Sequence, residues 1–143
     1  MARYRYPAIL LAMLPFLAGS APAQDRPTSP VDSSGPVIYA NSVWPRVLRP
    51  ADNTMRDVEV DVRATDDTDP NPVCRIVRVT NSEWRGWADN DPSVEITGRL
   101  RVRLRASQRS RYDGRVYTIT VRCSDVIGNS TNIRMPVRVP RYE

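Results

Sequence analysis

Apolar and polar residues alternate with period two through most of the chain, and no window holds a helical period, so the pattern predicts an all-β domain. In "MRDVEVDVRAT" (55–65), Val58, Val60, Val62 and Ala64 fall on one face, and Asp57, Glu59, Asp61 and Arg63 on the other. Tyr117, Ile119, Val121 and Cys123 share a phase in "GRVYTITVRCSD" (114–125), as do Ile133, Met135, Val137 and Val139 in "NIRMPVRVP" (132–140). Further strands are predicted at "VIYANSV" (37–43), "VCRIVRVTN" (73–81), "VEITG" (94–98) and the comb "GRLRVRLRA" (98–106). The run at 73–81 changes phase midway, because Cys74 and Ile76 alternate with Val77 and Val79, and a β-bulge reconciles the two sets. Six or seven short strands with one apolar face each fit a two-sheet antiparallel sandwich around one core. Trp44, beside Pro45 in the connection after the first strand, reads as core or edge cover.

The N-terminal segment has a different pattern. Arg3 and Arg5, the apolar run "AILLAMLPFLAG" (8–19) and the small residues Ala21 and Ala23 before Gln24 read as a secretory signal peptide, residues 1–23. The run falls short of the roughly 20 apolar residues a membrane span needs, and Pro15 interrupts it. The mature chain is therefore expected to be secreted or periplasmic and not membrane-spanning. Residues 24–36, rich in Pro, Ser and Asp, read as a flexible tether, and residues 37–143 as one domain. Export also decides the two cysteines. In an oxidising compartment Cys74 and Cys123 are expected to form one disulfide, worth about 4 kcal/mol by chain entropy. With no His in the chain and no Cys-x-x-Cys spacing, a redox or nucleophilic Cys is not expected, and His-based triads are excluded.

"ATDDTDPNPVCRI" and "GRVYTITVRCSD", within a match running from about Val37 to Pro140, resemble the immunoglobulin-like modules of bacterial secreted and surface proteins, relatives of the HYR and fibronectin type III group. The segment "LRPADNTM" keeps the Pro, Asn53 and Met55 of that family's motif and lacks its His and Lys. The resemblance implies an immunoglobulin-like sandwich of about seven strands, with Tyr117 as a packing residue. It says little about activity, since such modules are typically spacers, adhesion units or appendages to enzymes; catalysis is not expected because a small sandwich gives no sign of a deep cleft.

That strand order would set the acidic strand 55–65 beside the comb. Residues 57–69 carry six acids and one Arg, and residues 99–115 seven Arg and one Asp. The expected outcome is a ladder of opposite charges centred on Glu59 and Arg101, with polyanion binding by the comb as the alternative. After leader removal, 19 Arg against 16 acids leave a balance of only +3, and no nucleic-acid partner is expected.

Two loop clusters carry the remaining chemistry. Asp66, Asp67 and Asp69 would meet Asp125 and Asn129 at one end of the sandwich, an oxygen-ligand set suited to Ca²⁺, although Asp and Asn also serve plain turn chemistry there. No other cofactor is expected. Trp84 and Trp87, with Arg109, Arg111 and Arg115, are the candidate ligand-binding residues, for a protein or glycan at the cell envelope. The sequence thus predicts a non-catalytic binding or adhesion module, the alternative being a structural subunit of an envelope or secretion assembly.

Overall fold

The computed structural model describes residues 31–84, 87, 90–109 and 114–141. The predicted leader, the first part of the tether and Arg111 lie outside the described residues. Seven strands form: β1 (Val37–Trp44), β2 (Met55–Thr65), β3 (Val73–Asn81), β4 (Val94–Gly98), β5 (Arg101–Arg105), β6 (Arg115–Ser124) and β7 (Ser130–Val139). They make two antiparallel sheets, ordered β1-β2-β5-β4 and β3-β6-β7, the order of a constant-type immunoglobulin sandwich.

The alternating residues build the core from both sheets. Val58, Val60 and Val62 of β2 and Val102 and Leu104 of β5 pack with Ile119 and Val121 of β6 and Val137 of β7. Tyr117 is fully buried among them. In β3 the register shifts between Ile76 and Arg78, which puts both Ile76 and Val79 inward, the bulge that the phase change required. Cys74 and Cys123 are direct cross-strand partners in β3 and β6 and form the disulfide, so it ties neighbours within one sheet.

Trp44 corrects an expectation. Val43 turns inward, so strand alternation turns Trp44 outward, where it is 76 % exposed beside Glu59. The chain then leaves the first sheet at Pro45 and joins the second. Val47 bridges Arg138 in parallel, with Leu48 N donating to Arg138 O and Arg138 N to Arg46 O. This short patch covers part of the outer edge of β7.

Two described parts of the predicted tether are also seated on the domain. Pro36 is fully buried, and Asn129 Nδ2 donates to the Asp32 carbonyl.

Candidate functional site

The predicted ligand-binding residues that are described, Trp84, Trp87, Arg109 and Arg115, lie at the end of the sandwich where β3 runs into β4 and β5 into β6. The first connection is closed at its base by Asn81. Its Oδ1 accepts from Glu83 N (2.9 Å), and its Nδ2 donates to Asp91 Oδ2 (3.0 Å) and Ser93 Oγ (3.1 Å). Asp91 in turn caps Ser93 through the amide (2.9 Å) and hydroxyl (2.6 Å). Trp84 is half-buried, its indole nitrogen donating to the Trp87 carbonyl at 3.0 Å, while Trp87 itself is 83 % exposed.

The second connection is pinned to the first by Glu83. Both its carboxylate oxygens accept from Arg109 N at 2.9 Å, and Oε2 accepts from Arg115 Nε at 2.8 Å. This ion pair is sealed, with side-chain exposures of 6 % for Arg115 and 10 % for Glu83. Arg115 Nη1 also donates to Tyr117 Oη (2.8 Å), which donates to the Arg105 carbonyl (2.9 Å). Burial works against the charged guanidinium, but the hydrogen bonds it donates to Tyr117 and Glu83 more than offset it, and the Arg115 pKa stands above its ordinary value.

Sequence phase alone could have located this network. Arg115 shares parity with the inward residues Tyr117 and Ile119, and a charge on the core face requires a partner. Its identity, Glu83, lies 32 residues away and carries no local signal.

Between the two connections lies a recess of about 410 Å³, lined by Trp84, Asp91, Arg105, Gln108, Arg109 and Arg115 among others. Arg105 is fixed there by donating from Nη1 to the Asn53 carbonyl (3.0 Å). Asn53 holds a positive φ of 64°, which Asn tolerates, and its amide donates to Ala106 O. Gln108 Oε1 is shielded from solvent without a hydrogen-bond partner among the described residues. The recess thus offers guanidinium, amide and hydroxyl groups beside an indole, a set suited to holding a polar ligand.

At the opposite end, the proposed calcium residues are divided between roles. Asp66 and Asp67 come together with Asp32, one carboxylate oxygen of each lying within 4.8 Å of the others. Asp69 and Asp125 stand outside that trio. Asp69 caps Asn71 N (2.9 Å), and Asp125 accepts from the Gly128 and Asn129 amides and from Asn129 Nδ2. Asp66 Oδ1 accepts from the Asp69 and Thr68 amides, and these bonds, led by that from Asp69, hold its carboxyl below the ordinary value.

The comb forms its ladder. Arg101 Nη2 meets Glu59 at 3.0 Å, and Arg103 meets Asp57 at 3.6 Å and Glu95 at 3.4 Å, all with exposed or half-exposed side chains. No family model, no curated protein and no solved structure matches the chain.

Proposed function

We propose that the chain is an exported, non-catalytic binding module of immunoglobulin-like architecture, related to the HYR and fibronectin type III group, whose recess engages a protein or glycan of the cell envelope. The observation that carries this reading is the convergence of Trp84, Arg109 and Arg115 on one recess whose walls are locked by the buried Arg115–Glu83 pair. Locked walls favour binding, because little ordering entropy remains to be lost when a ligand enters. Among the described residues, the two carboxylates that line the recess are engaged in holding it together, Asp91 with Asn81 and Ser93, Glu83 with Arg109 and Arg115. Acid–base chemistry would need one of them turned toward a substrate.

Capture from envelope extract by the mature chain tests the reading, run before and after protease digestion of the extract to separate protein from glycan ligands. A Trp84→Ala/Arg109→Ala variant with unchanged melting temperature is expected to lose most of the retained material. Equal retention by the variant and the parent would remove the recess from consideration.

A further inference from the structure

The outer face of the β3-β6-β7 sheet carries Arg75, Arg78, Arg122, Arg134 and Arg138, all exposed, and no outward-facing residue of its three strands is an acid. None of the ion pairs among the described residues involves any of the five. Register arranges them in rows. Arg75 faces Arg122, which faces Asn132 in turn; Arg78 and Arg134 flank Thr120; Arg138 faces Val116. Arg122 Nε donates to Asn132 Oδ1 at 3.1 Å, which orients that guanidinium across the row.

Arg75 opposite Arg122 is a like-charge pair at the distance where such pairs destabilise a sheet. The other sheet shows that this chain can answer every mid-strand Arg with a carboxylate. Among the described residues of this face it does not, and the missing negative charge is the feature that needs an occupant.

The geometry points to a linear acidic polysaccharide lying on this face, its carboxylate or sulfate groups bridging the Arg rows. The stripe is long. From Arg122 to Val116 the strand advances about 20 Å at roughly 3.3 Å per residue, across three strands spaced about 4.8 Å apart. All five guanidinium side chains stand exposed, so each alone would hold a single small anion only weakly. A polymer instead gains by many weak contacts, and the guanidinium fork suits carboxylate and sulfate oxygens.

Thr120 places a hydroxyl within the Arg78–Arg134 row, and Thr80 and Thr118 place hydroxyls between that row and Arg138, where sugar hydroxyls can pair with them. The face presents no aromatic ring on which a nucleobase could stack. Its centre has no large apolar side chain that could enter a lipid surface.

The test uses the mature chain with heparin and polygalacturonate as probes, read by titration at several salt concentrations. Arg75→Ser/Arg122→Ser/Arg134→Ser is compared with Arg63→Ser/Arg101→Ser/Arg103→Ser, which removes the same charge from the opposite face. The first variant is expected to lower the slope of log affinity against log salt by about 3, and the second to leave it nearly unchanged. Equal losses in both would reduce the effect to net charge and overturn the proposal. So would absence of binding by the parent chain, or tighter binding to phosphatidylglycerol vesicles or to oligothymidylate than to either polysaccharide. Amide shift mapping on the parent chain with a heparin oligosaccharide needs no variant. Perturbations are expected on β3, β6 and β7, and perturbations confined to residues 81–93 and 105–115 would overturn the assignment.

Discussion

The two outer faces of the sandwich use the same cation in opposite ways. On the β1-β2-β5-β4 sheet, Arg101 and Arg103 are answered by Glu59, Asp57 and Glu95 across the strands. On the β3-β6-β7 sheet, Arg75 is answered by Arg122. A period-two run of Arg therefore says little about binding until the partner strand is known, because the partner's charge decides whether the field reaches solvent. The conspicuous comb is the neutralised one. The uncompensated face is assembled from one or two Arg each of "VCRIVRVTN", "GRVYTITVRCSD" and "NIRMPVRVP", none of which repeats Arg at period two as the comb does.

The disulfide gives the strongest way to break this comparison, since it joins the residues next to Arg75 and Arg122. Replacing Cys74 by Ser, or reducing the bridge, should cost about 2–5 kcal/mol by denaturant titration. Hydrogen exchange should then rise more on β3 and β6 than on β2 and β5, because only the first pair loses its crosslink while retaining like-charge repulsion. A uniform rise would mean that the faces are not energetically separable.

Charge reversal sharpens the comparison with a smaller effect of opposite sign on each face. Arg101→Glu sets like charges against Glu59 and should destabilise by a few tenths to about 1 kcal/mol, given that both side chains are well exposed. Adding Glu59→Arg should recover most of the loss, as a double-mutant cycle would measure. Arg122→Glu replaces repulsion by attraction toward Arg75 and should stabilise the unliganded domain by a similar amount. Both effects should shrink in 1 M salt. Destabilisation by Arg122→Glu would show that the Arg face is not under repulsion.

Acid gives the smallest effect. A hydrogen bond from the Thr54 hydroxyl, with one from its amide and the nearby Arg56, holds the Asp52 carboxyl at the head of β2 below the ordinary 3.8. A carboxyl depressed by folding contributes stability that is complete above the unfolded pKa and is lost as pH falls through the lower folded value. Stability should therefore decline slightly below about pH 4, and Asp52→Asn should flatten that acid limb in pH-dependent melts. The Arg face has no carboxylate and should add nothing to it.

Much of the fold was legible because strand parity is a local signal. The bounds of β2 and β3, the bulge near Ile76 and the inward set of β6 follow from alternation, and the cysteine pair is expected from the leader-like N-terminus. What escaped was non-local or depended on one step of parity. Trp44 lies one residue from Val43, so a single step sends it from core to solvent. The Glu83–Arg115 pair, the seating of Pro36 and the Arg rows depend on strands brought together across long stretches of chain. Trp84, Arg109 and Arg115 could be nominated by residue type, but the recess that unites them appears only when Glu83 joins the two connections.

The parallel patch between residues 46–48 and β7 bears on how the domain carries mechanical load. β1 enters beside the end of β2, where Val37 pairs with Thr65, and β7 leaves at the other end, where Val139 pairs with Arg115. A pull between Val37 and Val139 therefore acts along the sandwich, loading first the β1–β2 ladder and then, lengthwise, the contact of Arg46 and Leu48 with Arg138. The Leu48–Arg138 and Arg138–Arg46 hydrogen bonds then take the tension together in shear, whereas a hairpin pulled from its open end yields one bond at a time. Under force, resistance is set by the height of that barrier rather than by equilibrium stability.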